Sequence, residues 1–232
     1  MSPFKKLTIH LESKTGEIST REITPLIEKV LTAKEQANLT PNSVIKSLKE
    51  GNKRFVTGEL TARDHTEQIR KTVGGQFPKA VILSCVDSRV PVEDVFDKGI
   101  GDIFVARVAG NFVNEDILGS MEFGCKVSGS KLILVLGHEH CGAVKAAVDD
   151  VKLGNITAML SKIRPAVESV TYLGDRTSKN EEFVHLACES NIRKTIEDIR
   201  TNSPILKKME DKGEIKIIGG IYDMDTGKVD FL

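Results

Sequence analysis

The chain has 232 residues, 40% of them hydrophobic, and 33 Lys+Arg balance 33 Asp+Glu to a formal net charge of zero. That length supports one sizeable core, while the neutral balance leaves no broad basic field for nucleic acid or an anionic membrane. No apolar stretch is long enough to span a bilayer, and four cysteines are too sparse for a disulfide framework. The start, Met1-Ser2-Pro3-Phe4-Lys5-Lys6-Leu7, leads into no uninterrupted apolar run. No signal peptide is therefore expected, and the chain reads as cytoplasmic, or as periplasmic or organellar if a targeting segment has been removed.

Residues 1–22 show no firm periodicity and read as an arm. Ile23, Leu26, Ile27, Val30 and Leu31 recur at helical spacing, which predicts a helix over 23–37. Thr40-Pro41 opens another helix, with Val44, Ile45 and Leu48 on one face, Gly51 within the pattern and Arg54-Phe55 continuing it. These helices need a partner surface, either their own domain or a second subunit. From residue 79 the chain alternates. Strand 79–84 leads to a short helix at Pro91 with Val92, Val95 and Phe96 inward. A second strand follows at 103–108, then a helix over 115–127, a third strand at 131–136 and a helix from about 141 to 151. Helical patterns fill 156–172 and 181–201, a fourth strand 214–221, and a turn at Asp225-Thr226-Gly227 returns a short edge strand at 228–232. The fold class is α/β: a mainly parallel open sheet in the order 2-1-3-4 with a short antiparallel edge strand, flanked by helices, with an N-terminal helical arm. The expected division is an extension over 1–35 and an α/β domain over 36–232.

Two segments sit where apolar runs stop. Cys85-Val86-Asp87-Ser88-Arg89 follows Ala80-Val81-Ile82-Leu83, and His138-Glu139-His140-Cys141 follows Leu132-Ile133-Leu134-Val135-Leu136-Gly137. Ligands in an open α/β sheet bind beyond the carboxyl ends of the strands, so adjacency of strands one and three brings both segments to one crevice. Two thiols and an imidazole form an N/S donor set suited to zinc. Cys141 falls at a helix start, where the dipole favours a thiolate. His138 lies three residues from Cys141, so one turn can offer both; His140 competes for the imidazole role. Asp87 and Arg89 read in isolation as a surface ion pair around a turn serine, and beside a thiolate metal site as a pair managing whatever binds the metal. Cys125 and Cys188, inside helical patterns, read as small buried hydrophobes. His65 and His185 belong to no motif.

Cys-x-Asp-Ser-Arg after a strand, followed by His-x-x-Cys-Gly, resembles the β-class carbonic anhydrases. Gly101-Asp102-Ile103-Phe104-Val105-Ala106-Arg107-Val108-Ala109-Gly110-Asn111 resembles that family's second strand, and Tyr222-Asp223-Met224-Asp225-Thr226-Gly227 its closing hairpin. The resemblance covers roughly 40–232. It implies zinc ligands Cys85, His138 and Cys141 and a carboxylate–guanidinium pair Asp87 and Arg89. It also implies a substrate-side amide at Gln76, a pocket phenyl at Phe104 and a backbone N–H donor at Gly142. Val90 and Phe123 complete an apolar lining for carbon dioxide; plant-type members have a Tyr where this chain has Phe123. The implied reaction is reversible hydration of carbon dioxide to bicarbonate and a proton, by zinc-bound hydroxide formed near neutral pH. Two thiolates make the site formally neutral, which should hold the water pKa above that of a three-histidine site. The implied partners are the small-molecule substrate and a second copy of the chain, a dimer at least and possibly a tetramer, with no nucleic acid or membrane. Some family members bind bicarbonate beside a Trp three residues before the first cysteine. That position is Ile82 here, so the matching Arg107 and Tyr222 imply weak anion binding at most. Competing readings are hydrolysis of carbonyl sulfide or carbon disulfide on the same scaffold, and a non-catalytic zinc module closed by Asp87. A thiol oxidoreductase or dinucleotide-binding protein lacks its motifs, since no Cys-x-x-Cys and no Gly-x-Gly-x-x-Gly after the first strand are present.

Overall fold

The computed structural model describes residues 7–12, 18–23 and 27–232. Strands β1 (Leu7–Glu12) and β2 (Ile18–Ile23) pair antiparallel, with Leu7 opposite Ile23. The helix expected over 23–37 is therefore corrected. Ile23 ends a strand, residues 24–26 lie outside the described residues, and only Ala33–Ala37 (α1) is helical. Ile27 bridges the Arg63 segment instead, its N–H donating to Ala62 O at 2.8 Å. The helix-start signal lies further on, where Thr32 and Glu35 cap each other reciprocally. Gln36 of α1 then donates to the carbonyls of Pro78 and Ser128 at 2.8 and 2.7 Å, tying this helix to the sheet domain.

Helix α2 (Pro41–Thr57) starts as expected at the Thr40 cap, and α3 (His65–Thr72) follows. The alternating part then runs β3 (Ala80–Ser84), α4 (Val92–Val95), β4 (Ile103–Arg107), α5 (Glu115–Glu122) with a π turn over Phe123–Val127, and β5 (Leu132–His138). It continues with α6 (Gly142–Val148), α7 (Gly154–Leu160), α8 (Arg164–Ser169), α9 (Glu181–Asn202), α10 (Pro204–Asp211), β6 (Lys216–Tyr222) and β7 (Val229–Phe231). The pattern over 156–172 is two helices rather than one, because Pro165 lacks the N–H an uninterrupted helix would need there and instead sits in the first turn of α8.

The sheet order is β4-β3-β5-β6-β7, with four parallel strands and β7 antiparallel at the edge. β3 and β5 are apolar throughout because both faces are covered. Val81, Leu83, Ile133 and Val135 face Met121, Val144, Phe183 and Ile192 of α5, α6 and α9. Ala80, Ile82, Leu132 and Leu134 face Val44 and Leu48 of α2, Val92 and Val95 of α4, and Phe96. Gly51 allows α2 and the α4 end to touch: a Cβ there would lie 1.9 Å from Phe96 O.

Candidate metal centre

Parallel pairing of β3 with β5, Ser84 opposite Leu136, brings the two motif-bearing strand ends to the same edge of the sheet. Cys85 is the residue after β3, His138 ends β5 and Cys141 is the N-cap of α6. Their ligand atoms all lie within 4.8 Å of one another, and the two sulfurs are 3.9 Å apart. All three residues are buried. His140, the alternative imidazole, is outside this group and holds a left-handed turn at φ 53°.

His138 Nδ1 is 2.8 Å from Glu139 O. A carbonyl only accepts, so Nδ1 carries the proton and Nε2 presents its lone pair. That Nε2 is buried with no hydrogen-bond partner among the described residues. An orphaned imidazole nitrogen beside two buried sulfurs fits a metal ion, which would satisfy it.

The sulfurs are not equivalent. The hydrogen bond with Cys141 lowers the Cys85 pKa to about 4, against burial, with help from His138 and the Gly110 N–H. That N–H donates to Cys85 Sγ at 3.3 Å. Cys141 is pushed up, first by its bond to Cys85 and then by burial. With the sulfurs 3.9 Å apart, ionising both would set two negative charges side by side, which a divalent cation would relieve. Gly110 has φ +81°, a Cβ there would lie 2.3 Å from Ile163 Cδ1, and its carbonyl accepts from the buried Asn191 amide at 2.7 Å.

Asp87 faces the same space, its Oδ2 3.9 Å from His138 Nε2. Arg89 grips it with a fork, Nε to Oδ1 at 3.0 Å and Nη2 to Oδ2 at 2.8 Å, and the Arg89 N–H adds a third bond at 3.0 Å. The Arg89 guanidinium holds the Asp87 carboxyl well below the usual carboxylate range, against partial burial.

Val90 is buried at the end of this loop. Gly142 is the first residue of α6, so its N–H is one a helix leaves without an internal partner. The other three substrate-side residues are elsewhere. Phe104 is opposite Val81, four residues before Cys85, or about 13 Å along the strand at ~3.3 Å per residue. Phe123 opens the π turn, is 54% exposed and packs its ring 6.4 Å from that of Phe104. Gln76 is exposed in the loop entering β3. Within one chain, the structure does not bring Gln76, Phe104 and Phe123 to the sulfurs, because they lie toward the opposite end of the same parallel strands.

Cys125 and Cys188 are buried, and burial pushes each thiol up to about 12, which makes them inert. His185 places Nδ1 3.2 Å from Glu139 Oε1. Sequence reading gave no role to Asn191 or to the Glu139 carbonyl, because backbone groups and long-range amides leave no periodic trace.

An open α/β sheet carrying two thiols, an imidazole and a gripped carboxylate at its carboxyl edge defines a scaffold with a donor group able to hold a metal ion. The family model described as carbonic anhydrase matches residues 80–229. Carbonic anhydrase 2 of Mycobacterium tuberculosis is 36% identical over 197 residues, covering 82% of this chain and 92% of the relative. The carbonic anhydrase of Mycolicibacterium smegmatis is 35% identical over 199 residues, covering 83% and 94%. The chain belongs to the carbonic anhydrase family, in its β class. Its fold is similar to that of the β-carbonic anhydrase CcaA, with a TM-score of 0.64 at 24% identity over 82% of this chain and 98% of that one. It is similar too to tetrameric β-carbonic anhydrases of Sordaria macrospora, with a TM-score of 0.63 at 20% identity over 82% and 97%.

Proposed function

We propose that this chain catalyses the reversible hydration of carbon dioxide to bicarbonate and a proton, with zinc held by Cys85, His138 and Cys141. The observation that carries the reading is the unpartnered His138 Nε2, grouped with two sulfurs and faced by the Asp87 carboxylate. Two thiolates and an imidazole favour zinc over harder cations, and three protein donors leave a fourth position open. When bound there, zinc supplies a Lewis acid that acidifies water near neutral pH. Asp87, ionised under the grip of Arg89, accepts a hydrogen bond from the attacking oxygen and turns its lone pair toward the substrate carbon. The Arg89 fork would also hold Asp87 back from a bound metal, which argues against a closed structural zinc site. Hydrolysis of carbonyl sulfide or carbon disulfide would use the same groups, but both mycobacterial relatives are carbonic anhydrases.

Gln76, Phe104 and Phe123 can reach a metal site only on another copy of the chain, which supports an assembly of two or four copies. Four cysteines without a disulfide fit a reducing compartment such as the cytoplasm. Among the described residues, no helix is long and apolar enough to cross a membrane. We place the start of the catalytic domain at about residue 36, where Gln36 joins the sheet domain.

Metal analysis combined with a stopped-flow hydration assay tests the function. One zinc per chain and rapid hydration are expected. A fully loaded protein that fails to hydrate carbon dioxide would overturn the assignment.

A further inference from the structure

We infer that Arg107 is a positioning residue: one guanidinium fixes the loop that carries Cys85 and Asp87 by binding three of its carbonyls. The inference rests on the hydration reading. Arg107 ends β4 directly beside Ser84 of β3, so its side chain leaves the sheet where the Cys85–Val90 loop begins. Its Nε donates to Cys85 O at 2.8 Å, and its Nη2 donates to Asp87 O at 2.7 Å and to Val90 O at 3.0 Å. Among the described residues no carboxylate pairs with it. The loop's own backbone closure is a longer bond, Val90 N to Asp87 O at 3.3 Å.

The three acceptors span the whole loop, from the first thiol past the carboxylate to the buried Val90. Fixing the carbonyls of residues 85 and 87 fixes the plane from which the Asp87 side chain leaves the backbone. That plane determines whether Oδ2 stays 3.9 Å from His138 Nε2 while still in the Arg89 fork. A lysine is a point charge and cannot span these acceptors with a planar fork. Displacement of a reacting group by ~1 Å can cost on the order of a hundredfold in rate, so the loop's own bonding leaves a margin that Arg107 covers.

The test is a double-mutant cycle on the zinc-loaded protein with Arg107→Gln, Arg107→Lys, Asp87→Asn and the Arg107→Gln/Asp87→Asn pair. We expect each Arg107 variant to retain metal and lose at least roughly tenfold in kcat with little change in KM. The pair should be hardly slower than Asp87→Asn alone, because both changes act through one carboxylate. Cobalt-substituted protein gives a second reading without turnover: azide affinity, followed in the visible bands, should shift at least roughly fivefold in Arg107→Gln and in Arg107→Lys. Multiplicative losses in the pair, unchanged kcat, or unchanged azide affinity would overturn the inference. So would activity falling only in step with metal content in both Arg107 variants. If loaded wild-type protein hydrated no carbon dioxide, the hydration reading would fail by itself, and the azide comparison would still decide the role of Arg107.

Discussion

Cys85 and Cys125 are both buried cysteines with opposite surroundings. Cys85 meets a second sulfur, an imidazole and a backbone N–H, all of which favour its thiolate. Cys125 meets apolar neighbours, which push its thiol up to about 12. Cys85→Ser should therefore abolish most metal binding while Cys125→Ser keeps it, as read by metal content after purification. The contrast was legible in sequence, because Cys85 follows a fully apolar strand and precedes Asp87 and Arg89, whereas Cys125 repeats a helical stripe. Asp87→Asn should keep the metal and lose at least roughly tenfold in activity, as for a lost orienting or proton-accepting group. The pH profile follows from the sign of the Asp87 shift. A carboxylate held below its unfolded value of about 3.9 stabilises the fold above that value, and loses this contribution as pH falls through the depressed folded value. Asp87 therefore stays ionised from pH ~5 to ~9, and a rise in hydration rate through the neutral to mildly alkaline range belongs to the nucleophile. Flat rates across that range would argue against water ionisation as the controlling step. The role of Gly110 at this site was not legible, since it acts through its own backbone groups, and Arg107 stood out only as an anion-site match because its acceptors are backbone carbonyls.

At the scale of elements, legibility followed burial. β3 and β5 announce themselves as uninterrupted apolar runs because both faces of the sheet are covered. Residues 23–37 misled because their apolar spacing fits a helix while the chain enters as strand β2 and bridges at Ile27. The alternation Leu7, Ile9, Leu11 was the available signal for β1. The 115–127 pattern hides a change of winding: Ser128 N donates to Phe123 O at 2.9 Å, a π turn that places Gly124 against Val81 and Phe104. Glycines at such contacts report the packing. Gly51→Ala would set a Cβ 1.9 Å from Phe96 O, a backbone atom that cannot rotate away. α2 and α4 would have to separate, so we expect destabilisation of about 3 kcal/mol, the upper part of the overpacking range. Urea unfolding would read this as a lower midpoint at unchanged slope. An unchanged midpoint would show that α2 slides freely over α4.

At the scale of the molecule, the five-stranded sheet ends at β4, with no further strand beside it among the described residues. β4 is an edge strand, and around it stand Phe123 at 54%, Val127 at 71%, Ile69 at 57% and Val73 at 83% exposure. α3 belongs to this edge because Gln68 and Thr72 pack against Gly99 and Gly101, just before β4. An open strand edge rimmed by apolar side chains invites a partner. Gln76 and Phe104, which the family resemblance assigns to substrate, occupy the same region, so burying this edge against a second copy would also serve catalysis. The paired change Phe123→Glu and Val127→Lys alters side chains that are 54% and 71% exposed and gives up the single ring contact of Phe123 with Phe104, so the fold and metal content should stay intact. Light scattering should show a smaller assembly, and hydration should fall with it. Leu173→Lys is the control, because Leu173 is fully exposed in a loop outside this edge. An unchanged mass for the Phe123/Val127 variant would place the subunit contact elsewhere. A smaller particle with full activity would show that each chain completes its own pocket without Gln76, Phe104 and Phe123.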